Sequence, residues 1–243
     1  MDEKKQIHRK FVITMISLVL SVAIAITLAI VALLTLENQG TAFAIIFGIM
    51  LLMLPVTSFF KSRVDQLTNL SFSARIHASP GNPLTTNRLL TKEGFYNYLN
   101  KQDYVLFSDD DIHTFYYRIK KDDIKQMFKG YIFEVVVLIK DSVNEYFLDI
   151  VDEEVQKLYR EFAKEKKRVD KMLITQIREI EDLNEEEKDK VKQIVFIRTR
   201  QGIISTINVA IIRDAKKAVM LYSDKYTPSM YYSYHVDQIK KMV

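Results

Sequence analysis

Residues 11–60 read FVITMISLVLSVAIAITLAIVALLTLENQGTAFAIIFGIMLLMLPVTSFF. From Phe11 to Leu36 there are 26 residues without a charge. At 1.5 Å per residue a helix of that length reaches about 39 Å, more than the ~30 Å hydrocarbon core of a bilayer. Thr41 to Phe60 is a second uncharged run of 20 residues, with Pro55 near its far end, where a membrane helix tolerates a kink. Both runs read as membrane spans. A cleaved signal peptide would have a shorter apolar region and would not be followed at once by another. Two buried core helices would need a large protein around them, and the remaining residues are too polar for that. Only Glu37, Asn38, Gln39 and Gly40 separate the runs, so the helices are expected to form an antiparallel hairpin.

Lys4, Lys5, Arg9 and Lys10 precede the first run, Lys61 and Arg63 follow the second, and the connecting loop has neither Lys nor Arg. Because basic residues stay on the cytoplasmic side, both termini are expected there, in a multi-pass protein of the cell membrane. The division is then a cytoplasmic N-terminus (1–10), a transmembrane hairpin (11–36 and 41–60), a connector (61–83) and a cytoplasmic domain (84–243). Neither run contains an ionisable residue, so no ion or proton path is visible and the hairpin reads as an anchor in the lipid bilayer. Small residues recur at every fourth position, Ser17, Ser21, Ala25 and Ala29 on the first helix and Ala44 and Gly48 on the second. Such faces permit close backbone approach. The tight turn favours their packing on each other; a homo-oligomer through the transmembrane helices is the other use.

The chain has no cysteine, which excludes disulfide, iron–sulfur thiolate and cysteine-nucleophile chemistry and suits a reducing cytoplasm. Beyond residue 60 there are 31 Lys and Arg against 28 Asp and Glu, a balance that does not point to nucleic acid. The six glycines, at 40, 48, 81, 94, 130 and 202, form no phosphate loop or dinucleotide fingerprint, and no cofactor is expected. His8, His77, His113 and His235 lack metal-ligand spacing, and there is no G-x-S-x-G elbow.

After the break at Ser79-Pro80-Gly81-Asn82-Pro83, the pattern is that of an α+β domain with an antiparallel sheet and flanking helices. Thr91 can cap a short helix through Gln102 that buries Phe95, Tyr98 and Leu99. Tyr104–Ser108 and His113–Ile119 read as strands joined across three aspartates, with Asp122 or Asp123 capping a helical turn through Phe128. Tyr131–Lys140, YIFEVVVLIK, reads as a central strand buried on both faces, with Glu145–Ile150 as its hairpin partner. From Asp152 to Ile180 the apolar spacing predicts one long helix or two in line, with a strand over Met172–Ile177 as the alternative. Asn184 followed by Glu187 is a capping-box-like start for a helix to about Gln193. Ile194–Thr199, Ile203–Ile212 and Lys216–Tyr222 then read as an antiparallel meander, followed by another strand and a helical tail.

Residues 106–128 and 221–243 align without gaps and are identical at nine of 23 positions, so both are expected to be strand, turn, strand, helix. Only the first aspartate of Asp109, Asp110 and Asp111 recurs, as Asp224. Asp109 and Asp224 therefore read as turn residues and Asp110 and Asp111 as solvated loop acids. The pairs Tyr116-Tyr117 and Tyr231-Tyr232 would place one ring on each face of a strand.

The sequence carries no motif that names a reaction. The reading it favours is a non-catalytic interaction or sensing module, with an unidentified protein partner, held at the membrane. A second reading is a membrane-tethered divalent-metal hydrolase using Asp109, Asp110 or Asp111 with Asp141, Glu145 or Asp149, since hard cations want oxygen ligands. A third is a lipid-binding regulator using Arg198, Arg200, Lys216 and Lys217.

Overall fold

The computed structural model describes residues 3–86, 92–124, 130–140, 145–147, 149–199 and 202–243. It divides into two compact units, Met1–Ala74 and Arg75–Val243. Helix α1 (Glu3–Thr35) and helix α2 (Gln39–His77) carry the two apolar runs. Asn38 caps α2 by accepting from the Gly40 and Thr41 backbone N–H groups at 2.9 and 3.3 Å. The hydroxyls of Thr14, Ser21, Thr27, Thr35 and Thr57 each bond the carbonyl four residues earlier, which leaves them no demand on outside partners.

The less exposed positions of the two helices mirror one another about the turn: Ala32 and Ala42 beside it, Ser21 and Met53 midway, Thr14 and Phe60 further out, Ile7 and Leu67 at the far ends. The opposite faces present large apolar side chains, with Leu34 80% and Leu52 71% exposed. Both helices are long and apolar enough to cross a membrane. Ser17, Ser21, Ala25 and Ala29 lie in the covered stripe of α1. Ala44 is exposed and a Cβ on Gly48 would meet nothing within 4 Å, so the small pair on α2 does not face α1. That stripe instead runs through Ala42, Ile46, Ile49, Met53 and Phe60. Nor does α2 stop at Phe60. Apolar positions such as Val64 and Leu67 keep helical spacing, and no breaker intervenes before Ser79-Pro80.

The second unit is built on a mixed sheet of strands β1 (Leu84–Thr85), β2 (Val105–Asp109), β3 (His113–Lys121), β4 (Tyr131–Ile139), β5 (Val169–Ile180), β6 (Val195–Arg198), β7 (Ile203–Ile212) and β8 (Lys217–Met220). The order is β1-β8-β7-β5-β4-β3-β2. β4, β5 and β7 are parallel, which corrects the expectation of a purely antiparallel sheet. Antiparallel pairing is confined to the flanks, where β3 joins β4 and β2 joins β3. On the other side β6 and β8 each pair antiparallel with β7 as expected, but they share one edge of it instead of flanking it as a meander, because β5 occupies the other edge.

Parallel neighbours need a long crossover. Helix α4 (Asp149–Lys164) supplies it between β4 and β5, and helix α5 (Glu185–Lys192) together with β6 leads from β5 to β7. Glu145–Ile150 is therefore no hairpin partner of β4, since Asp149 already opens α4. The helical spacing from Asp152 breaks at Lys166, whose φ is 57°. There Lys166 N–H bonds Ala163 O and Lys167 N–H bonds Phe162 O, the paired bonds of a left-handed helix stop. Met172–Ile177 is accordingly strand.

α4 buries Val151, Val155, Leu158 and Phe162 on one sheet face against Phe133, Val135 and Val137. Asn184 accepts from Glu187 N–H at 2.8 Å and starts α5 as its capping pattern implies. The other face is covered by helix α6 (Met230–Met242) and by the π-helical turn Lys92–Tyr96 that runs into α3 (Asn97–Lys101). Phe95 and Leu99 are buried there. Thr91 and the turn expected through Phe128 fall outside the described residues.

The two aligned segments diverge. Residues 106–121 make β2, turn and β3, whereas Leu221–Ser229 has no strand and Met230–Met242 is α6. Ser229 Oγ accepts from Tyr232 N–H at 3.0 Å and starts that helix. The matching residue, Thr114, lies in a strand and donates to Asp109 at 2.7 Å. Tyr116 and Tyr117 do split between the two faces, but Tyr231 and Tyr232 are neighbours on a helix.

A Cβ on Gly202 would lie 2.4 Å from the Asp170 carbonyl oxygen. Gly202→Ala is expected to destabilise the second unit by about 1–3 kcal/mol, whereas Gly48→Ala should leave stability nearly unchanged. Thermal unfolding of the two variants in detergent checks both.

Candidate functional site

The three aspartates have separate roles. Asp110 Oδ1 accepts from the Ile112 and His113 N–H groups at 2.8 and 2.7 Å, so Asp110 rather than Asp109 shapes the turn. Burial raises the Asp110 pKa, but those two N–H bonds and the charges of His113 and Lys140 outweigh it and hold the carboxyl below its usual range. Asp109 pairs with Lys140 at 2.7 Å, and Asp111 is exposed. In the aligned segment Ser223 Oγ makes the turn by accepting from Lys225 and Tyr226 N–H, while Asp224 pairs with Lys240.

Glu145 reaches Lys190 at 3.5 Å, and Asp149 is exposed at the start of α4. Asp141 and Arg200 are outside the described residues. Among the described residues no three carboxylates or imidazoles form a group that could hold a metal ion. Arg198 and Lys217 pair with Ile203 and Ile212, the two ends of β7. At ~3.3 Å per residue this places Arg198 about 30 Å from Lys216 and Lys217, so the basic residues do not cluster.

The polar groups that do come together lie under α6. Register places Arg118, Glu134, Leu173 and Ser205 in one row across four strands. Glu134 Oε2 accepts from Tyr104 Oη at 2.8 Å and from Arg118 Nε and Nη2 at 3.1 and 2.5 Å. Its Oε1 accepts from Tyr234 Oη at 2.7 Å. Burial, then the Glu134 charge, drives the Tyr104 and Tyr234 phenols well above their ordinary range, so both remain donors.

At the next residue of α6, His235 Nε2 lies 3.0 Å from Thr175 Oγ1 and its Nδ1 lies 2.9 Å from Ser205 Oγ. Nearby, Tyr231 Oη donates to Asp122 Oδ2 at 2.5 Å, and Lys171 Nζ lies 2.9 Å from the same oxygen and 2.6 Å from Asp170. Between Glu134 and His235 is a cavity of about 10 Å³, lined also by Tyr104, Thr175, Gln238 and Met242. That volume is at the lower limit for a single water. These side chains therefore act on one another, fastening α6 and the Tyr104 segment to the sheet.

A second buried histidine, His113, lies 2.9 Å from Glu154 of α4; its Nδ1 is 3.2 Å from Asp110, off the line of a hydrogen bond. Glu154 lines an open groove of about 730 Å³ with Phe107, Ile150, Lys157 and Arg160. A smaller groove of about 300 Å³ runs between α4, the first halves of β5 and β7 and the end of β6. Tyr159, Met172, Ile197 and Ile204 give it an apolar lining. Sequence reasoning missed the layer under α6, because its members are scattered over 130 residues. The one local signal is Glu134, a charge inside an otherwise apolar strand. No family model, curated protein or solved structure matches the chain.

Glu134→Ala would leave Arg118 and two tyrosine hydroxyls without their acceptor, and a loss of about 3–5 kcal/mol is expected in denaturant unfolding. A second expectation concerns pH. Burial lowers the His235 pKa from 6.5 to about 3. Between those values the unfolded chain binds a proton that the folded one does not. Stability from this group is complete above pH 6.5 and declines as the pH falls toward 3. The slope is about 1.4 kcal/mol per pH unit. Unfolding free energies from pH 7 to 5 should fall more steeply for the wild type than for His235→Gln; equal slopes would show that His235 is not the group.

Proposed function

We propose that the chain is a two-pass protein of the cell membrane with both termini in the cytoplasm, and that its α+β unit is a non-catalytic interaction or sensing module held on that side. The observation that carries the reading is the outward apolar surface of α1 and α2. Side chains such as Ile16, Leu34, Phe43 and Leu52 are exposed along both helices, an arrangement costly in water and favourable in hydrocarbon. The orientation is supported by the basic residues before α1's apolar run and after that of α2, and by their absence from the turn.

The module reading is supported by the state of the unit's chemistry. Glu134, His235, Asp122 and Lys171 are buried in mutual contacts. Asp109 and Asp110 are engaged by Lys140, Thr114 and backbone N–H groups. The open features are grooves: the smaller has Tyr159, Met172, Ile197 and Ile204 in its lining, and the larger sets Phe107 and Ile150 among charged residues of α4, a mixture of apolar and polar side chains that suits a protein partner. Neither the hydrolase nor the lipid-regulator reading finds its residues assembled among those described.

The absence of cysteine makes a direct test simple. Gln39→Cys and Asp182→Cys each introduce a single thiol. In intact cells a membrane-impermeant maleimide is expected to label Gln39→Cys, and Asp182→Cys only after permeabilisation. The reverse pattern would overturn the orientation, and recovery of the chain in the soluble fraction would overturn the anchor.

A further inference from the structure

We infer that the basic end of the α1–α2 pair is a binding site for the headgroups of anionic phospholipids. The inference rests on the reading of the two helices as membrane spans and adds a ligand to it.

Lys5, Arg9 and Lys10 on α1 and Lys61 and Arg63 on α2 are all exposed. The mirrored burial of the helices brings Arg9, Lys10, Lys61 and Arg63 within about 6 Å of one level along the helix axes, with Lys5 about 6 Å further out. Thr14 matches Phe60 and Ile7 matches Leu67, so Lys10 and Arg63 fall between these pairs, at the same height. Phe11 and Phe60 are the apolar residues next to the charges on either helix. The positive layer thus begins where the hydrocarbon would end.

From Lys5 to Lys10 the helix rises about 7.5 Å. The headgroup region on one side of a bilayer is about 5–7 Å thick. The basic residues of α1 therefore span that region from top to bottom, and the long stems of Lys and Arg can lie along apolar surface while the charge stays among the phosphates.

Among the described residues none of these five cations is ion-paired; Arg63 makes one long bond, at 3.3 Å, to Gln66. The nearest acids in sequence lie on the sides away from the apolar runs: Asp2 and Glu3 precede the basic residues of α1, and Asp65 follows those of α2. Five exposed cations placed between these acids and the apolar runs face the phosphate layer and attract lipids with net negative charge over zwitterionic ones. Each basic residue near such a surface is worth roughly a fivefold preference, and the effect weakens with salt. Arg198, Lys216 and Lys217, set at opposite ends of β7, offer no such convergence.

The test uses the full chain in nanodiscs containing phosphatidylcholine and phosphatidylglycerol, with the lipids retained around the protein identified by mass spectrometry. Phosphatidylglycerol is expected to be enriched over its share of the disc. The enrichment should fall about threefold or more in Lys61→Gln/Arg63→Gln and should shrink as salt rises. These two substitutions leave the basic residues of α1 in place, so insertion is retained. Inorganic phosphate should not displace the lipid; displacement at equal concentration would mark a site for soluble anions and overturn the lipid assignment. A chain that enters the discs but gathers no phosphatidylglycerol, or gathers it equally in the variant, overturns this inference alone. A chain that fails to enter the discs overturns the spanning reading and this inference with it.

Discussion

Four hydrogen bonds converge on the carboxylate of Glu134 in the middle of the β4 sheet face, and the arrangement of that whole face follows from the need to supply them. A buried carboxylate without donors would cost several kcal/mol. Arg118 is the neighbour directly across the β3–β4 ladder and supplies charge. The other two donors come from distant parts of the chain: Tyr104 from the segment before β2, Tyr234 from α6. One acid thereby ties together elements 130 residues apart. The His235 contacts with Thr175 and Ser205 and the Tyr231 contact with Asp122 repeat the same device along α6, with uncharged donors that are inexpensive to bury.

The features legible from sequence were those encoded locally. Two charge-free runs gave the long apolar helices. Asn184 and Glu187 marked the start of α5, and the apolar run after Gly130 gave β4. Runs rich in aromatic and β-branched residues gave β2, β3, β6, β7 and β8 and the antiparallel pairing of β7 with both β6 and β8. The parallel core was not legible, because its pairing depends on where α4 ends. Helices often stop at a left-handed glycine, but here Lys166 adopts that conformation within the charged run KEKKR. With no breaker in view, the helical spacing continues into Met172–Ile177, and with β5 read as helix both parallel pairings, β4 with β5 and β5 with β7, go unseen.

The aligned segments make a related point. Nine identities in 23 positions did not fix a common structure, because strand formation also depends on a partner. Residues 113–121 lie against β4 and extend the sheet. Residues 230–242 lie over a sheet face already complete in its own plane, where a capped helix can bury Tyr232, Val236 and Ile239. Of the candidate site, the turn chemistry of the aspartates was half legible: the stretch was identified, but the role belonged to Asp110. The layer around Glu134 and His235 consists of single residues on different elements, and no spacing rule connects them. A charge embedded in YIFEVVVLI was the one available indication.

The parallel ladder also has a consequence in time. β4 is apolar along almost its entire length, yet its neighbours β5 and β3 lie on opposite sides of it in the chain, and β7 begins about 60 residues after β4 ends. At synthesis rates of about 5–20 residues per second, roughly 3–12 s separate the emergence of β4 from that of the strand that completes the parallel core. Non-local pairing of this kind is slow to form in any case. A nascent chain whose apolar helices have already emerged must therefore keep a nearly uncharged strand from unwanted pairing until β7 arrives. The β3 strand, complete before β4 and antiparallel to it, is the immediate neighbour able to cover one edge during that interval.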